Sequence, residues 1–197
     1  MKERAALAVS YIFMPTTFAM VAFILLAFCT PQGTYGLLVA FIAVLFGAVA
    51  PFLYLYLLLR KEKVTRIDVP IRQQRTIPYL NSSAIYFAGF VLLLLAKASA
   101  PVCALMFCYA TNTLVISLIN TQWKISAHAM GAAGPLTLLA IAFGPYVLPA
   151  FPIIAVVAWA RVELKAHSTA QVVAGSVLGI VLTAAQTEAF LKLAGGH

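Results

Sequence analysis

The sequence predicts an all-α fold, a polytopic transmembrane helical bundle of six to seven spans. Three observations predict it. Of 197 residues, 63% are hydrophobic and 9% charged, and a mean hydropathy of +1.01 leaves too little polar surface to coat a water-soluble globule. The apolar residues gather into runs of about the 20 residues that a helix needs to cross hydrocarbon. The basic residues sit at the ends of those runs.

The runs fall at 6–29, 35–59, 79–98, 101–123, 128–144, 146–162 and 169–191. The first exceeds a signal-peptide core, has only Lys2 and Arg4 ahead of it and offers no small-residue cleavage site, so it is expected to remain as a span. The fifth and sixth are short and joined by Gly144-Pro145, a turn signal on which the choice between six and seven depends. Pro149 and Pro152 are expected to bend the sixth. In the last run, Gly175 and Gly179 form a small-xxx-small pair suited to close packing within the bundle. Ser168-Thr169-Ala170-Gln171 reads as a capping box opening that helix. With no linker, low-complexity tract or internal repeat, the chain is one membrane domain, 1–197, whose motif-bearing core covers about 60–190.

Charge then fixes an expected topology. Segments 60–78, 123–128 and 161–168 are separated by even numbers of spans and should emerge on one face. With the N-terminus, that face holds Lys2, Arg4, Arg60, Lys61, Lys63, Arg66, Arg72, Arg75, Lys124, Arg161 and Lys165, against Lys97 and Lys192 on the other. The positive-inside rule makes it cytoplasmic. The net charge of +8 does not point to nucleic acid, because the cations are neither interleaved with aromatics nor mounted on a soluble fold. Cys29, Cys103 and Cys108 all lie inside apolar runs, which argues against a disulfide framework or a zinc site and for packing or lipid-facing roles.

The only long polar stretch, Arg60 to Pro78, reads as an interfacial segment whose arginine stems snorkel to headgroups. Arg72 and Arg75, three apart, share one face of a helical turn just before a span. Apart from the terminal His197, the histidines are His128, in Lys124-Ile125-Ser126-Ala127-His128, and His167, six residues after Arg161. Ionisable residues at membrane depth are functional candidates by default. Two imidazoles, three arginines and a serine on one face point to a phosphate ester. Guanidinium forks match phosphate oxygens, and a helix beginning near Ser126 would aim free amides at an anion. Two histidines then suffice for hydrolysis without a metal, one as nucleophile and one as general acid. Asp68 and Glu163 are the nearest carboxylates, and no cluster has metal-ligand spacing.

These residues resemble the type 2 phosphatidic acid phosphatases, which share a catalytic core with vanadium haloperoxidases and carry the motifs K-x6-R-P, P-S-G-H and S-R-x5-H-x3-D. Ile125-Ser126-Ala127-His128 is similar to the second. Ala160-Arg161, then His167 and Gln171, has the spacing of the third. Arg75, with Pro78 shortly after, is similar to the end of the first. The resemblance covers about 66–180. It implies that His167 forms a phosphohistidine, that His128 protonates the leaving group, and that Arg75, Ser126 and Arg161, with Arg72 in place of the missing lysine, hold the phosphoryl oxygens. No cofactor or metal is implied, and the partners are a phosphorylated lipid and the bilayer. Three positions depart from the pattern: Asp68 stands for lysine, Ala160 for serine and Gln171 for the aspartate that orients the nucleophile. A glutamine there is similar to the dolichyl-diphosphatase branch of the superfamily.

The expected function is therefore a metal-independent phosphatase acting on a lipid phosphate or polyprenyl (di)phosphate. The three departures keep open a non-catalytic relative that serves as a lipid-binding or structural membrane subunit. A transporter or a prenyl-transfer enzyme is a third reading, though prenyl transfer normally needs paired aspartate-rich motifs and Asp68 stands alone.

Overall fold

The computed structural model describes residues 1–195, so the terminal His197 lies outside it. Among the described residues every regular element is helical. The α-helices are α1 (Lys2–Ile12), α2 (Pro15–Cys29), α3 (Gly36–Val44), α4 (Ala50–Arg60), α5 (Thr76–Leu95), α6 (Ala100–Gln122), α7 (Ala127–Phe143), α8 (Pro152–Glu163) and α9 (Thr169–Leu193). Among the described residues, five stretches are long and apolar enough to cross a membrane: Gly36–Arg60, Arg72–Leu95, Ala100–Gln122, Ala127–Ala150 and Thr169–Leu193. A sixth results if α1 and α2, bent by 42°, count as one span. Large apolar side chains such as Leu37, Phe41, Leu95 and Leu118 face outward, a surface that suits lipid rather than water.

Five or six meets the expected six or seven at six, and prolines explain where the runs fall short. The first run breaks at Phe13 and Met14, and α2 restarts with Pro15 at its first turn, a position where the missing N–H costs nothing. The run at 146–162 is a 3₁₀ stretch, Gly144–Ala150, followed by the twelve-residue α8. Gly144 takes a φ of +76°, open to a residue without Cβ, and Pro145, Pro149 and Pro152 each remove a helical donor. Although no single helix there is of spanning length, the stretch folds back along α7. Val147, Ile154 and Val157 pack with Ala132, Ala133 and Leu136.

Close approaches are built from glycine. A Cβ on Gly175 would lie 2.6 Å from the Ser126 carbonyl oxygen, and one on Gly179 would lie 2.9 Å from both Ala133 Cβ and the Met130 carbonyl oxygen. The small pair of the last run therefore seats α9 against α7, as expected. A π-helical turn at Leu45–Val49 joins α3 to α4, and there Phe23 occupies the space a Gly47 side chain would need, 2.1 Å from its Cβ position.

Long-range hydrogen bonds gather the polar segments at two ends. Arg72 Nη1 donates to the Asn120 carbonyl (2.8 Å), Arg75 Nη1 to that of Ile125 (3.0 Å) and Lys124 Nζ to that of Ala166 (2.7 Å). Segments 60–78, 123–128 and 161–168 thus meet at one end. At the other, Gln32 Nε2 donates to Ser99 Oγ at 2.9 Å, and Ser99 and Thr30 hydroxyls pair at 2.8 Å.

Candidate functional site

The site forms where the starts of α5, α7 and α9 meet the end of α8. Ser126 is the N-cap of α7, its Oγ accepting from the Ala129 amide at 3.3 Å. Its own amide donates to the Gln171 carbonyl at 3.3 Å. Ser168 caps α9 in the expected capping box, with Gln171 as the reciprocal partner. Two helix N-termini are thereby tied side by side, bringing His128, in the first turn of α7, toward His167, just ahead of α9.

His167 is 5% exposed. Its Nδ1 lies 3.2 Å from Gln171 Oε1, an oxygen that also accepts from the Ser168 amide at 3.2 Å. An oxygen already accepting from an N–H calls for a second donor, so Nδ1 carries the ring proton and Nε2 keeps its lone pair. That Nε2 faces Arg75 Nη2 at 3.5 Å. Arg75 is itself held rigidly, with Nε donating to the Val69 carbonyl at 2.7 Å in addition to the Ile125 bond. Burial, and after it the charges of Arg75, Arg161 and Lys124, push the His167 imidazole down to about 3 from 6.5, against the raising effect of its bond to Gln171. The ring is therefore neutral at physiological pH, the form able to attack. Lys124 is likewise lowered by burial and by Arg75 and Arg161, with Asp68 opposing.

Arg161 is 1% exposed. Nη1 donates to Ser10 Oγ at 2.6 Å and Nη2 to Asp68 Oδ2 at 3.2 Å, while Nε is buried without a partner among the described residues. Asp68 also pairs with Arg66 at 3.2 Å. His128, 6% exposed, has its Nε2 buried and, among the described residues, unpartnered, and lies within electrostatic range of His167, Arg161 and Arg75. It lines two cavities. One, of about 160 Å³, runs from Asp68, Arg75 and His128 down between the helices to Tyr109, Asn112 and Thr183. The other is small, between Ser10, Asp68, His128 and Arg161. His167 lines neither, and Arg75, which its Nε2 faces, lines the larger one.

The structure thus brings together His128, His167, Gln171, Arg75, Ser126 and Arg161. It does not bring in Arg72. The Arg72 guanidinium bonds the carbonyls of Asn120 and Thr121 at the end of α6, where orphan carbonyls and the helix dipole attract a cation. On the short 3₁₀ turn Arg72–Gln74 the two arginines separate, one to α6 and one to the site, which a shared helical face did not foresee. Sequence reasoning missed three members. Asp68, which in the sequence is a lone carboxylate and a departure from the pattern, neutralises Arg161. Lys124 was treated as a topological charge, and Ser10, in the first apolar run, carried no signal. Among the described residues no group of His, Cys, Asp and Glu is placed to hold a metal ion.

No protein-family model, no curated protein and no solved structure matches this chain.

Proposed function

We propose that this protein is a membrane-embedded, metal-independent phosphatase that removes phosphate from a lipid phosphate or polyprenyl (di)phosphate. The observation that carries the reading is the geometry at His167: a ring oriented by Gln171, with its Nε2 accepting from the Arg75 guanidinium at 3.5 Å. An unprotonated, buried nitrogen beside a fixed cation is what an attack on a phosphate needs, because the cation draws in the anion and stabilises the added charge.

The headgroup enters from the larger cavity and displaces the Asp68 carboxylate from Arg161. Its oxygens are then shared between Arg161, Arg75 and the amides at the start of α7. His167 Nε2 attacks phosphorus and the ester P–O bond breaks. A proton brought in by the phosphate monoanion passes to His128, which gives it to the departing oxygen, then takes one from the water that cleaves the P–N bond and releases inorganic phosphate. The apolar wall of the cavity receives the first part of the hydrocarbon. A 150 Å³ apolar cavity holds about one benzene, so the rest of the chain lies in the bilayer.

The decisive experiment is phosphate release from a panel of phospholipid and polyprenyl phosphates in detergent with excess chelator. Release that vanadate inhibits and His167→Ala abolishes is expected. Release that persists in His167→Ala overturns the mechanism. One observation favours a second reading, a non-catalytic lipid-binding relative: Asp68 already pairs with Arg161. Absence of release from every lipid in the panel, with headgroup binding intact, would select it.

The site is assigned to the cytoplasmic face on the excess of basic residues there. Labelling of Lys63→Cys in a Cys29→Ser background by an impermeant reagent from outside intact cells would reverse that assignment.

A further inference from the structure

The larger cavity has a second polar region that the phosphoryl chemistry does not use. Tyr109 and Asn112 lie three apart on α6, on the same face, and both line its inner end. The Tyr109 hydroxyl oxygen is buried and has no hydrogen-bond partner among the described residues. Asn112 belongs to a chain across α6 and α9: Thr111 Oγ1 to Gln186 Oε1 (2.7 Å), Gln186 Nε2 to Asn112 Oδ1 (3.0 Å) and Asn112 Nδ2 to Thr183 Oγ1 (3.0 Å). Turning both amides over leaves each Asn112 atom with the same single neighbour. In either orientation one Asn112 N–H and the Tyr109 O–H find no acceptor among the described residues. Inside a bundle such a surplus of donors is unfavourable unless something in the cavity accepts from it.

We propose that Tyr109 and Asn112 form a subsite for a neutral hydrogen-bond acceptor, an ester or keto carbonyl, carried on the hydrocarbon side of the lipid phosphate. The inference rests on the reading of this cavity as the lipid-phosphate site. Thr183, bonded to Asn112, faces Gly134, six residues beyond His128 on α7, which places the subsite about 9 Å deeper at a rise of 1.5 Å per residue. A carbonyl on the portion of the lipid next to the phosphate reaches that depth with the chain extended, and it offers lone pairs and no hydrogen. A bare polyprenyl chain offers neither and would bury both donors unsatisfied. The site therefore discriminates carbonyl-bearing lipid phosphates from plain polyprenyl ones.

The test uses non-hydrolysable alkyl phosphonates of one chain length, unsubstituted or with a single keto group moved along the chain. Binding to the full-length protein in detergent is read by calorimetry. The keto probe should bind about three- to ten-fold more tightly than the unsubstituted one at one chain position, the range of one or two neutral hydrogen bonds. Tyr109→Phe, which removes only the hydroxyl, should lower that preference. Equal affinities at every position, the pattern of a cavity filled by water alone, would overturn the subsite, as would a preference unchanged in Tyr109→Phe. Because no turnover is needed, a keto preference without phosphate release from the matching phosphates leaves the subsite standing and removes the catalytic reading. Failure of every phosphonate to bind removes both.

Discussion

Asp68 and Arg161, ninety-three positions apart, hold one another at 3.2 Å beneath the surface of the bundle. The carboxylate occupies the guanidinium that a phosphate would use. On the proposed function, a substrate phosphate and Asp68 compete for one cation, and a buried arginine left alone is costly.

Replacing Asp68 with asparagine keeps the shape and removes the competing charge. The Asp68→Asn protein should melt below wild type in buffer, because Arg161 loses its counter-ion. Vanadate should raise its melting temperature more than it raises that of wild type, since a ligand that binds only the folded form stabilises in proportion to its affinity. Thermal melts in detergent across a vanadate titration measure both effects. An equal vanadate shift in the two proteins would show that Asp68 does not stand in the anion's place.

Gln171 both orients His167 and closes the capping box of α9. Glutamate is as good a capping-box residue as glutamine and suits a helix N-terminus better, so Gln171→Glu should fold at least as stably. On the proposed mechanism it also supplies a negative charge beside the imidazolium formed during turnover. In a serine-protease triad the reverse change, acid to amide, costs about 10⁴ in turnover, so Gln171→Glu should raise kcat by about ten-fold or more. The pH profile should move upward with it, which a purely structural role for Gln171 would not produce. A steady-state pH series on both proteins checks this.

His167 makes stability depend on pH. Its folded value of about 3 lies below its ordinary 6.5, so between those values the unfolded chain binds the extra proton. Stability then falls as pH drops from about 6.5 toward 3, by up to about 1.4 kcal/mol per unit from this group. Above 6.5 and below 3 the His167 contribution is flat. Denaturant melts of wild type and His167→Gln from about pH 7 to about pH 4 should show a shallower acid slope in the variant.

Alanine usually stabilises a helix by about 1 kcal/mol relative to glycine. At Gly175 the sign should reverse. The added Cβ would sit 2.6 Å from the Ser126 carbonyl oxygen, which is backbone and cannot swing aside, so Gly175→Ala should cost about 1–3 kcal/mol. It should also lower kcat, because the shift separates Ser126 from Gln171 and with them the two imidazoles. A melt and an activity assay on the variant test both halves.

Much of the bundle was legible in the chain because lipid leaves few options. A backbone in hydrocarbon must satisfy its own hydrogen bonds, which makes long apolar runs helical, and the caps at Ser126 and Ser168 rely on neighbours within four residues. The span count was less legible. Three prolines and Gly144 turned the sixth run into a 3₁₀ stretch and a short helix, and hydropathy counts apolar residues without counting missing donors. Arg72 and Arg75 show the same limit: three apart in sequence, they serve different helices, because α6 ends beside one and α7 begins beside the other.

The chain by itself determined that this protein is helical and suited to a bilayer, that its cations collect at one end of the spans, and that His128, His167, Gln171 and Ser126 occupy helix starts. Hydropathy, charge and capping are properties of neighbouring residues, so they can be read along a line. Only the tertiary structure decided that Asp68 covers Arg161, that the bare nitrogen of His167 faces Arg75, and that Tyr109 and Asn112 look into the cavity holding His128. Those relationships join residues from separate helices, and helix packing, set by glycines and prolines at the contacts, chooses which side chains share a space.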